Sequence, residues 1–244
     1  LVFGISGTVV EGGAGDDMLL DGGTTDSLLG GAGNDTLVSR YGADTLEGGF
    51  GSDSVVGSAA DNRIEIRNEL VGTPLLYVGA DTVDGGGGND TIHDLSDVVV
   101  VVGGGDVPAQ LQAGNVIGGG AGNDEIVAGI RRDTIEGGAG ADSMNGNAGV
   151  DQLSYAGSGL GVLVNLGTGQ AVGGDAAGDS FLGFENLGGS TLGDSLAGSA
   201  GANELLGRGG SDTLQGLGGA DTLNGGDAID WVSYDAAATG VVAK

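Results

Sequence analysis

The feature that most constrains this chain is a nine-residue period. From Gly12 the segments GGAGDDMLL, DGGTTDSLL, GGAGNDTLV, SRYGADTLE and GGFGSDSVV follow without a gap. The sixth position of each holds Asp17, Asp26, Asp35, Asp44 and Asp53, and the eighth holds Leu19, Leu28, Leu37, Leu46 and Val55. GSAADNRIE keeps the register with Asn62 in place of Asp, and Asp81 and Asp90 follow in YVGADTVDGGGGNDTIH. A second unbroken block carries Asp124, Asp133, Asp142 and Asp151, and a third carries Asp194, Asn203, Asp212, Asp221 and Asp230. A disordered acidic linker has no reason to set an apolar residue two positions after each Asp.

The period dictates local structure. Gly at positions one, two and four permits positive φ and close backbone approach, so the first six residues form a tight turn. The last three, an apolar residue with Thr, Ser or Val beside it, make one very short strand whose position-eight side chain points inward. Two nonapeptides complete an eighteen-residue coil, and coils stack as parallel strands about 4.8 Å apart. The expected fold is all-β: a right-handed parallel β-roll with cations between its stacked glycine-rich turns.

Electrostatics require those cations. Stacking sets each Asp beside its counterpart eighteen residues on, as Asp17 with Asp35 or Asp124 with Asp142. Two like charges about 5 Å apart repel by roughly 0.8 kcal/mol even in bulk water. The whole chain has 34 acidic side chains against 7 basic ones, a net charge of −27, which argues against nucleic acid or an anionic membrane as a partner. With no Cys and a single His, the donors on offer are carboxylates and turn carbonyls. Hard oxygen donors in a loose arrangement favour calcium over zinc, copper or magnesium.

At these residues the chain resembles the RTX, or hemolysin-type, calcium-binding nonapeptide repeat proteins of the large repetitive secreted or surface type. Their motif G-G-x-G-x-D-x-U-x is met closely by GGAGNDTLV (Gly30 to Val38) and GGAGADSMN (Gly137 to Asn145). The resemblance implies a calcium-loaded β-roll holding about seven to ten ions, exported by a Gram-negative bacterium through a type I exporter to the cell surface or medium. It implies metal ligands at Asp17, Asp26, Asp35, Asp44, Asp53, Asp124, Asp133, Asp142, Asp151, Asp194, Asp212, Asp221 and Asp230. Asp81 and Asp90 match too, although their eighteen-residue partners fall in interruptions; Asn62 and Asn203 keep an oxygen donor without the charge, which implies weaker sites.

The sequence divides into a first roll block (1–65), interrupted repeats (66–118), a second block (119–154), an insert (155–188), a third block (189–233) and a truncated second insert (234–244). The two inserts are related: VDQLSYAGSGLGVLV resembles IDWVSYDAAATGVVA, with Tyr155 matching Tyr234. The later copy stops inside the module, Leu1 is no start Met and no secretion signal opens the chain, so a piece of something longer is expected. Val162, Val164 and Leu166 alternate as an added or lengthened strand. His93 and Trp231, at outward positions nine and seven, read as surface residues, with Trp231 packing on the terminal module. Glu65, Glu69, Asp94, Asp97, Asp106, Asp175 and Asp179 lie outside the register and have two readings, as ligands for extra calcium or a glycan and, more commonly, as solubilising charge. Arg131 and Arg132 replace turn residues and should distort their turn.

No catalytic residues are expected: a lone His without positional support makes no triad, HExxH is absent, and no apolar run approaches a membrane span. The expected function is structural, a β-roll that folds on calcium after export and contributes to a filament, surface layer or matrix. End-to-end self-association follows from solenoid ends that expose unpaired strands, at Leu1–Phe3 and Val241–Val242. Two other classes compete: the secretion and folding module of a toxin or hydrolase, and an adhesin module binding a glycan or surface.

Overall fold

The computed structural model describes residues 1–3, 7–67, 80–94 and 113–233. They form a parallel β-roll. One wall is an eleven-stranded sheet running from Val2–Phe3 through Met18–Leu20, Thr36–Val38 and Ser54–Val56 to Thr222–Asn224. Facing it is an eight-stranded sheet from Val9–Ala14 to Ser180–Leu182, followed by a five-stranded sheet that ends at Trp231–Ser233. All pairings among the described strands are parallel except that of Leu163–Asn165 with Gln170–Val172.

Register follows the repeat. Leu19 pairs with Leu37 and Leu37 with Val55 on one wall, while Leu28 pairs with Leu46 and Leu46 with Ile64 on the other. These position-eight side chains are at most 2% exposed and make up the core: one apolar residue from each wall per coil. Each strand is too short to be stable alone, so the core exists only as a stack. It fades at the end of the described residues, where Leu223 is only partly buried and Val232 is 38% exposed.

Two kinds of glycine make the turns tight. Gly31, at position two, has φ +111°, and a Cβ there would lie 2.2 Å from the Gly13 carbonyl oxygen of the previous coil. Gly30, at position one, is kept small by proximity alone: a Cβ would meet Gly48 O at 2.3 Å and Asp35 Oδ2 at 2.6 Å.

The interruptions leave the stack intact. Ser54 pairs with Thr82, and Thr82 with Val116; on the opposite wall Arg63 pairs with Thr91, and Thr91 with Glu125. The chain leaves the roll and re-enters it in register. Asp81 and Asp90 therefore do have stacking partners, at offsets of 28 and 34 residues in place of 18, which corrects the reading that their partners fall in the interruptions. The excursions themselves, with Glu69, Asp97 and Asp106, lie outside the described residues, as does the terminal module with Tyr234, Val241 and Val242.

The insert changes the second wall. Leu163–Asn165, with Val162 and Val164 buried, starts the five-stranded sheet, so the added strand opens a new wall. Tyr155, fully buried, donates its hydroxyl to Asp179 Oδ2 at 3.0 Å and ties the insert to the end of the eight-stranded sheet.

Candidate metal centre

Position six of every coil sits where the turn meets the strand, and stacking turns these residues into ladders. In the first ladder the Asp17 N–H donates to Asp35 Oδ1 (2.8 Å), Asp35 to Asp53 (2.8 Å), Asp53 to Asp81 (2.7 Å) and Asp133 to Asp151 (2.7 Å). In the second, Asp26 donates to Asp44 (2.6 Å), Asp90 to Asp124 (2.7 Å) and Asp124 to Asp142 (2.9 Å). In the third, Asp194 donates to Asp212 (2.8 Å) and Asp212 to Asp230 (3.1 Å). Each carboxylate thus spends one oxygen on the previous coil's backbone.

The other oxygen is left over. Oδ2 of Asp26, Asp35, Asp53, Asp90, Asp124, Asp133, Asp142, Asp151 and Asp212 is buried without a hydrogen-bond partner. A buried carboxylate oxygen in that state is costly, and it recurs down three ladders with the same chemistry each time. The oxygens converge on position-one glycines. A Cβ on Gly119 would lie 2.4 Å from Asp124 Oδ2 and 2.5 Å from Gly137 O, and one on Gly207 would lie 2.2 Å from Asp212 Oδ2 and 2.4 Å from Gly225 O. Carboxylate and carbonyl oxygens from neighbouring coils therefore line one cradle, a donor set that fits calcium.

Burial is felt in the proton affinities. It pushes the carboxyls of Asp53 and Asp124 up to about 6 and those of Asp90 and Asp151 up to about 7, against the lowering effect of the backbone N–H donors and helped by neighbouring carboxylates. Asp35, Asp133, Asp142 and Asp212 are raised by the same cause. A cation in the cradle would supply the opposite charge that these groups lack.

Not every predicted position shows a bare oxygen. Asp17, Asp221 and Asp230 are half-buried near the ends of their ladders. Asp44 Oδ2 accepts the Ser39 hydroxyl, and Asp194 Oδ2 accepts the Ser190 N–H. The Asn positions are satisfied within the protein: Asn62 Nδ2 donates to the Ala60 carbonyl (2.6 Å), and Asn203 Nδ2 donates to the Glu185 carbonyl (2.5 Å). At Asn62 an N–H occupies the side of the rung where Asp presents its second oxygen, whereas at Asn203 the amide oxygen takes that side and accepts the Ser199 N–H.

The sequence reading passed over three rungs: Asn115, Asp179 and Glu185. Their side-chain oxygens accept the N–H groups of Asp81, Asp142 and Asp151. Each is followed two positions on by an apolar residue, Ile117, Phe181 or Leu187, which was the available signal. Asp179 and Asp94 are buried, and Glu65 is buried between Arg63 and Arg67, so these three are structural rather than solubilising. Asp94 Oδ2 accepts Asn115 Nδ2 at 2.7 Å. Arg131 is also buried, and its charge faces Asp94, Asp81 and Asp133, so here the protein supplies a cation of its own. Beside Arg132 the irregularity lies in the partner strand: Ala113–Ala121 pairs with Arg132–Ala139 with a register shift between Ala113 and Val116. His93 is half-buried with Nε2 shielded from solvent, not a surface side chain, whereas Trp231 is 73% exposed.

Fold and site together define a solenoid whose turns carry a repeated hard-oxygen cation cradle. The chain belongs to the RTX calcium-binding nonapeptide repeat family: the family model, described as "RTX calcium-binding nonapeptide repeat (4 copies)", matches residues 4–37, 38–65, 78–93, 118–153 and 189–232. It is a calcium-binding β-roll. A search of curated proteins finds no match. No helix among the described residues is long and apolar enough to cross a membrane.

Proposed function

We propose that this chain is an extracellular, non-enzymatic structural protein that folds when it meets calcium after export from a Gram-negative cell, and that its rolls assemble into a filament, surface layer or matrix. The observation that carries the reading is the row of nine buried, partnerless Asp Oδ2 atoms. In a calcium-poor cytosol these carboxylates repel and the chain stays extended enough for a type I exporter. Outside, millimolar calcium exceeds the roughly 10⁻⁴–10⁻³ M dissociation constants of extracellular modules, and binding is coupled to folding. About seven to ten ions, at two charges each, would bring −27 to roughly −13 to −7.

Assembly is supported by exposed apolar side chains: among the described residues Leu1 is 71% exposed, and Ile229 and Trp231 are 74% and 73% exposed. Apolar side chains left in water favour contact with another copy. Sedimentation velocity in EGTA and in millimolar calcium tests the proposal. The expected result is compaction of the monomer followed by concentration-dependent growth in mass. A compact, strictly monomeric species at high protein and calcium concentration would refute the assembly role and leave the calcium-driven folding standing.

A further inference from the structure

One cradle differs from the rest. Position one of the repeat is glycine wherever the turn is regular, as at Gly12, Gly30 and Gly48, and a Cβ on any of these would lie 2.5–2.9 Å from Oδ2 of the Asp five residues on. In the repeat DGGTTDSLL that place is taken by Asp21, which is 1% exposed. Ligand oxygens of Asp21, Asp26 and Asp44 all lie within 4.8 Å of one another, and the latter two residues are 4% and 2% exposed. Asp21 Oδ2 accepts the Tyr41 N–H at 3.1 Å, but its Oδ1 is buried and has no partner, as is Asp26 Oδ2. None of the ion pairs among the described residues reaches these three carboxylates.

The surroundings hold the cluster in place. Asp44 Oδ1 accepts the N–H groups of Thr25 and Asp26, and its Oδ2 accepts the hydroxyl of Ser39, which stands at position one exactly one coil after Asp21. Thr25 is held at φ +96°, a conformation that a β-branched residue adopts only under constraint. Both stacked turns therefore depart from glycine at the same place, and both put a side-chain oxygen there.

We propose that Asp21 is a third carboxylate ligand, and that the Asp21–Asp26–Asp44 cluster is the tightest divalent-cation site of the roll, the one calcium fills first. Affinity for calcium rises with the number of charged ligands; this cluster offers three carboxylates where the regular cradle draws on two. Neighbouring coils would then add to an already ordered pair of turns, which gives the roll a defined starting point. The inference rests on the calcium-driven folding proposed above.

Equilibrium dialysis with calcium, below the concentration of the main folding transition, tests it on the intact chain. Asp21→Gly restores the residue found at Gly30 and Gly48, and Asp21→Asn keeps the shape if glycine loosens the turn; far-UV circular dichroism at saturating calcium verifies that each variant folds. Glu125→Gln removes one exposed charge that belongs to no ladder. The expected result is that the affinity for the first ion falls about tenfold in Asp21→Gly, falls in Asp21→Asn, and is unchanged in Glu125→Gln. If wild type folds on calcium but both Asp21 variants bind the first ion as wild type does, the inference is wrong and the folding account survives. If wild type takes up no calcium at all, both are wrong.

Discussion

Asp124 offers the clearest test of the ladder as a metal device. Its Oδ1 accepts the Asp90 N–H at 2.7 Å, and its Oδ2 is buried without a partner. Asp124→Asn keeps an acceptor for that N–H but removes the charge and one hard donor. Asp124→Ala removes the acceptor as well and strands the N–H, at a further cost of about 1–3 kcal/mol. If the transition takes up on the order of seven ions together, 2 kcal/mol multiplies the calcium midpoint by about 1.6, because the cost is divided among the ions bound. Without metal the sign reverses for Asn: relief of repulsion with Asp90 and Asp142 is worth roughly 0.8 kcal/mol each in bulk water. Calcium titrations of the three proteins in EGTA-buffered solution, followed by circular dichroism, should therefore order the midpoints as wild type, then Asn, then Ala. Both variants should bind less calcium at saturation. A midpoint and stoichiometry equal to wild type in both variants would refute the assignment of Asp124 as a ligand.

Other consequences follow from the same geometry. Leu37→Ala, at a fully buried core position, should cost about 2–5 kcal/mol in thermal unfolding at saturating calcium; a loss under 1 kcal/mol would mean the core is not closely packed. Gly137→Ala would set a Cβ 2.3 Å from Asp142 Oδ2 and should raise the calcium requirement sharply, whereas Gly159→Ala, with nothing within 4 Å, should not; equal effects would show that the cradle does not demand glycine. The metal-free chain should gain strand as pH falls. Carboxyls raised to about 6 or 7 in the folded state stabilise it fully below the unfolded value near 3.8, and that contribution is lost as pH rises to 7. Circular dichroism in EGTA, read from pH 5 upward because the chain is isoelectric near 4.1, should show this, and saturating calcium should flatten it; strand content rising with pH in EGTA would contradict the sign.

Much of the roll was legible because its period does two jobs at once. Position eight is the only inward side chain of a three-residue strand, so Leu19, Leu37 and Val55 announce the core, and the Asp two places earlier announces the ladder. What the period could not show was how the chain crosses an interruption. A parallel ladder needs only that the next strand arrive in register, and lengthening a connecting loop costs little, so offsets of 28 and 34 residues serve as well as 18. For the same reason Asn115, Asp179 and Glu185 went unread: their apolar partners are in place, but the glycine turn before them is not. Tyr155 gave no signal for its partner, because the hydrogen bond to Asp179 joins two points across the insert. Asp21 stands where most repeats have glycine, and only the stack shows that it lies with Asp26 and Asp44.

The most direct test of the account is far-UV circular dichroism of the EGTA-stripped chain as calcium is raised into the millimolar range, with magnesium at the same concentrations as the control. The orphaned ladder oxygens predict a cooperative coil-to-strand transition with calcium and none with magnesium. A chain already strand-rich in EGTA at neutral pH, and indifferent to calcium, would contradict it.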